Sequence, residues 1–138
     1  MARPSKAEAL LEFEIVFYQK LLHDYPDFVD VLIPLGEAYT RRGLHDKGLE
    51  VDLRLTQLRG EDPVVWYNLA CSYSLLQKTE ESAQALRHAV EMGYTDFEHL
   101  RKDPDLLNLK RSPAYRQVLD FLSHLTGARF THPSSGAA

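Results

Sequence analysis

The sequence predicts an all-α fold, a short α-solenoid of helix pairs with a half-repeat helix at its N-terminal end and capping helices at its C-terminal end. Three observations predict it. Large, large, small and aromatic residues at Trp66, Leu69, Ala70 and Tyr73 recur 34 positions upstream as Leu32, Leu35, Gly36 and Tyr39, and a fixed period of this length is a helical-repeat signal. Helix-start chemistry punctuates the chain at Ser5-Lys-Ala-Glu8, Asp62-Pro63, Thr95-Asp-Phe-Glu98, Asp103-Pro104 and Ser112-Pro113. Glycines at Gly43, Gly60 and Gly93 stand where the apolar periodicity of each preceding stretch runs out.

The elements follow in order. Ser5 and Glu8 form a capping box, each side chain satisfying a backbone donor, and open a helix from about Lys6 to His23. Its apolar residues Leu10, Leu11, Phe13, Phe17, Tyr18, Leu21 and Leu22 cover too wide a face for a helix with a single neighbour, which predicts one open side. Asp27 is the expected cap of a second helix running to about Arg42 and ending at Gly43, with Pro34 inside it predicting a bend or a late start. A third helix, about Asp46 to Arg59, closes at Gly60. Asp62-Pro63 opens a fourth helix to about Leu76, and Thr79 is the expected cap of a fifth that ends near Met92. After Gly93 the period breaks into three compact helical starts, at Thr95, Asp103 and Ser112, and residues 127–138 read as a flexible tail.

Composition narrows the function. With 138 residues the chain suits one domain, expected over residues 1–126. No apolar run is long enough for a signal peptide or a spanning helix, so the expectation is a cytoplasmic protein with no membrane role. Cys71 is the one cysteine, which removes any intrachain disulfide. A formal net charge of -4 without a dense Lys/Arg cluster argues against nucleic acid.

The pattern Trp66-x-x-Leu69-Ala70-x-x-Tyr73, with its weaker copy at Leu32, Leu35, Gly36 and Tyr39, resembles the tetratricopeptide (TPR) family. The resemblance implies a right-handed solenoid of TPR helix pairs with full repeats over about 29–62 and 63–96 and capping helices over about 97–126. In that register Tyr18, Leu21 and Pro26 make the first helix the second half of a repeat whose first half is missing. Gly36 and Gly48, then Ala70 and Ser82, occupy the small-residue positions where paired helices approach closely. Asp52 takes a position that is usually large and apolar; it is expected to be buried and to need a partner such as Tyr39, Arg42 or the Trp66 indole. The segment from Gly93 through Asp103-Pro-Asp-Leu-Leu-Asn-Leu to Val118-Leu119 is similar to the closing segment of many bacterial TPR proteins.

Reaction chemistry is not signalled. His23, His45, His88, His99, His124 and His132 are scattered, with no pair at helical ligand spacing, so no metal site is expected. No phosphate-cradling loop or nucleophile motif surrounds Cys71, and a small buried hydrophobe is the better reading than a catalytic dyad with a histidine. The expectation is a non-enzyme without cofactors that binds a protein or peptide. In the TPR family, first helices line a concave groove; carried over, its positions are Asp30, Ile33, Glu37, Thr40 and Arg41 in the first repeat. In the second they are Val64, Tyr67, Cys71, Ser74 and Leu75, with Asn68 able to reach a peptide backbone. The Lys/Arg/Asn clamp for a chaperone's terminal carboxylate is largely absent, and a peptide or helix of mixed apolar and basic character fits better. Two alternatives stand beside this: the same residues as solvated faces or as surfaces covered by the C-terminal segment, and self-association through the open side of the first helix, giving a monomer or weak homodimer.

Overall fold

The computed structural model describes residues 2–127, and every regular element among them is helical. Helices adjacent in sequence pack as pairs, α1 (Lys6–Asp24) with α2 (Val29–Arg42), α2 with α3 (His45–Leu58), and α4 (Pro63–Leu75) with α5 (Thr79–Glu91). The described residues form two compact units, one through Leu58 and the other from Arg59.

In the first unit the Ser5–Glu8 capping box is present as read: Glu8 N donates to Ser5 Oγ at 3.1 Å and Ser5 N to Glu8 Oε2 at 3.0 Å. Val31, Leu32, Leu35, Ala38 and Tyr39 are buried, a spacing that gives α2 one continuous apolar stripe. Gln19 Nε2 donates to Tyr39 Oη at 2.9 Å, and Arg41 and Arg42 pair with Glu14 and Glu12, so polar contacts border the α1–α2 seam on the outside. Two readings of where and how α2 starts need correction. Asp27 does not cap α2: its carboxylate pairs with Arg54 of α3, and the N-cap position falls to Phe28, which offers no side-chain acceptor. Pro34 delays nothing, because α2 starts five residues before it, where the ring costs a single hydrogen bond in a helix held by packing.

Gly36 marks the close approach of α2 to α3. A Cβ there would lie 3.2 Å from Val51 Cγ1 and 3.6 Å from Asp52 Oδ1 of α3. A branched side chain would force the two helices apart, so Gly36→Val is expected to cost about 1–3 kcal/mol of stability, measurable as a lowered urea midpoint. Asp52 is buried, as expected, and the Trp66 indole Nε1 donates to the Gly60 carbonyl at 2.7 Å.

The second unit adds α6 (Phe97–Lys102), a 3-10 turn (Pro104–Leu106), α7 (Leu107–Lys110) and α8 (Tyr115–Thr126). Its α4–α5 seam is built from small residues. Ala70 and Ala89 have no exposed surface, and Ser82 Oγ donates to the Ala70 carbonyl at 2.7 Å across the contact. Asp62 caps α4 through Val64 N at 2.9 Å, with Pro63 in the first turn where its missing donor has no cost. Thr79 is inside α5 rather than its cap; Lys78 holds that position without a side-chain bond, after Gln77 turns the chain at a φ of 61°. At α6 the cap is Asp96, which accepts from His99 N at 3.1 Å, instead of Thr95. Gly93 ends the helical pair with a φ of 113°. Val118, Leu119 and Leu122 seat α8 on the unit's core, and Gly127 closes it at a φ of 69°. Beyond Gly127, the expected flexible tail lies outside the described residues.

Candidate interaction surface

The two halves of the expected groove have different fates. On α2, Asp30, Ile33 and Glu37 share one face by their spacing, and all three are exposed, Ile33 by 42 %. Thr40 is half-buried and its hydroxyl donates back to the Gly36 carbonyl at 3.1 Å, while Arg41 is exposed but engaged by Glu14 at 3.2 Å. The outward part of this face is thus one apolar residue between two acids.

On α4 the structure corrects the expectation for three residues. Tyr67, Cys71 and Ser74 are buried, because the segment from α6 through α7 lies over them within the second unit. Ser74 Oγ accepts from Leu109 N at 3.1 Å, and its carbonyl accepts from Asn108 Nδ2 at 2.9 Å. Leu106 and Leu109, with no exposed surface, anchor the same segment. These α4 positions are therefore enclosed within the fold, and of the α4 set only Asn68 and Val64 remain exposed.

Asp103 organises this closure. Its Oδ2 accepts from Tyr67 Oη at 2.6 Å, lies 3.7 Å from Cys71 Sγ and is 3.4 Å from His99 Nε2, while Oδ1 accepts from Asp105 N at 3.0 Å to cap the 3-10 turn. Tyr94 stacks on Tyr67 with ring centroids 4.3 Å apart and planes 7° from parallel. Burial, reinforced by the hydrogen bond to Asp103, pushes the Tyr67 phenol far above its ordinary range, so it is a donor at every working pH. Nearby Lys110 is buried, with Nζ donating to the carbonyls of Arg101 at 2.7 Å and Asp103 at 3.2 Å, a cation at the end of α6. Burial pulls its ammonium down, and the charge of Asp103 opposes that pull.

The sequence reading missed Asp103 as a hub, treating Asp103-Pro104 only as a helix start. A signal was available in Tyr67, Cys71 and Ser74, three polar groups on one helical face, which would need acceptors if that face were covered. Asp103 Oδ2 also stands in contact with both Cys71 and His99, so the thiol meets a carboxylate that is already occupied by a phenol rather than an imidazole base.

No protein-family model matches the chain. It is 33% identical over 90 residues to a chloroplastic protein of Arabidopsis thaliana. The match takes in 61% of this chain and 26% of that protein, so the chain spans about a quarter of the length of the curated relative.

Proposed function

We propose that the chain is a TPR-type, non-catalytic interaction module that acts in the cytoplasm. The repeat at Leu32, Leu35, Gly36 and Tyr39 and at Trp66, Leu69, Ala70 and Tyr73 supports the family, since the helices carrying it pack in sequence-adjacent pairs. No helix of the described residues is long and apolar enough to cross a membrane. One observation carries the binding reading: Ile33 is exposed between Asp30 and Glu37 on a helix whose opposite face is buried. Such a face suits a peptide or partner helix that offers an apolar side chain flanked by Lys or Arg.

The test is a selection of randomised peptides on the intact protein, followed by fluorescence anisotropy of the winners. Selected peptides are expected to carry basic residues beside an apolar anchor. Ile33→Ser combined with Glu37→Gln is expected to weaken them by about tenfold or more, a loss of roughly 1.4 kcal/mol. Winners with no basic bias and unchanged affinity for the double variant would refute the assignment of this face.

A further inference from the structure

Helix α1 carries an exposed seam that α2 does not use. Leu10, Phe13 and Phe17 are 58, 66 and 49 % exposed, while Ile15 on the other side of the helix is buried. The rings of Phe13 and Phe17 are 6.2 Å apart and 9° from parallel, a flat aromatic pad. The seam extends in both directions along the same face, to Lys6 on one side and to Lys20 and Asp24 on the other, all exposed. Its members, Lys6, Leu10, Phe13, Phe17, Lys20 and Asp24, alternate steps of four and three residues. That is the narrow stripe through which two helices pair along their length.

The order of steps reads the same from either end, with its centre at the level of Ile15. We propose that this seam pairs with the same seam of a second copy of the chain, the two α1 helices antiparallel about a two-fold axis at that level. The register then sets Phe13 against Phe17 of the second copy, Leu10 along the methylenes of Lys20, and Lys6 opposite Asp24, each contact occurring twice. Charge selects the direction. A parallel pair would set Lys6 on Lys6, Lys20 on Lys20 and Asp24 on Asp24, three like-charge contacts, whereas the antiparallel pair makes two Lys6–Asp24 attractions. Among the described residues Lys6, Lys20 and Asp24 form no ion pair, in contrast to Glu12 and Glu14 on the flank, which are held by Arg42 and Arg41. The pairing does not depend on what the α2 face binds.

Sedimentation velocity over a concentration series tests it. The wild-type chain is expected to dimerise, and Phe13→Glu with Phe17→Glu to remain monomeric at every concentration while keeping its helical circular dichroism. The decisive set is Lys6→Glu, Asp24→Lys and the two combined. Each single change is expected to weaken the dimer about tenfold, and the combination to return it to near wild-type strength. Both single changes place charge favourably on the α1 dipole, acid in the first turn and base in the last, so weakening cannot be ascribed to melting of the helix. A wild-type chain that stays monomeric, a dimer that survives the Phe13/Phe17 double change, or a charge swap that fails to restore association would each overturn the proposal.

Discussion

Asp103→Ala is expected to remove about 3 kcal/mol from the stability of the second unit. The carboxylate accepts from Tyr67 Oη at 2.6 Å and from Asp105 N at 3.0 Å, and Tyr67, Cys71 and Lys110 beside it are buried. Hydrogen bonds to a charged group contribute about 1.5–3 kcal/mol, and a phenol left buried without its acceptor adds a desolvation penalty of about 1–3 kcal/mol. The loss of the cap on the 3-10 turn adds roughly 1 kcal/mol, against which relief of burying a charge must be set. The chain has one tryptophan, Trp66, in this unit, so its fluorescence during urea unfolding reports the change. Asp103→Asn keeps one acceptor oxygen and sets an NH2 group in place of the other, so it serves one of the two donors and is expected to lose about half as much. A midpoint for Asp103→Ala equal to that of the wild type would show that the closure of α4 rests on the apolar anchors alone.

How much of this was legible beforehand divides along a physical line. The helices themselves were readable because each depends on local spacing and on residues within one turn of its ends: the Ser5–Glu8 box, Asp62-Pro63 and Gly43 act over three or four positions. The close approach at Gly36 was readable from residue size in register, and the contact with Val51 gives its reason. Caps misread were those where a distant group competed, as Arg54 takes Asp27, or where two polar residues stood side by side, as Asp96 displaces Thr95. The candidate surface was half legible for the same reason. Asp30, Ile33 and Glu37 need only their own helix to face outward. Whether Tyr67, Cys71 and Ser74 do so depends on a segment more than thirty residues away, through the Tyr67–Asp103 and Ser74–Leu109 contacts at separations of 36 and 35 residues. No periodicity within α4 encodes that contact.

That long-range closure yields the second large effect. Leu106 has no exposed surface and lies in the 3-10 turn that packs on α4. Leu106→Ala is expected to cost about 3 kcal/mol, within the usual range for emptying a buried leucine site. The consequence reaches beyond global stability, because the segment that loses its anchor is the one covering Cys71, a residue only 8 % exposed in the closed form. A thiol reagent must wait for that segment to open, so its rate tracks the opening equilibrium, and each 1.4 kcal/mol removed from closure raises it about tenfold. Labelling of Cys71 by a maleimide under native conditions is therefore expected to accelerate by about two orders of magnitude in Leu106→Ala. Leu86→Ala, which empties an equally buried site on α5, outside the segment itself, is the control: it lowers overall stability to a similar extent, and its labelling should rise far less while the folded state dominates. Equal acceleration in the two variants would mean that Cys71 is reached only through global unfolding, and that the α6–α7 segment and the α4–α5 pair open as one cooperative body.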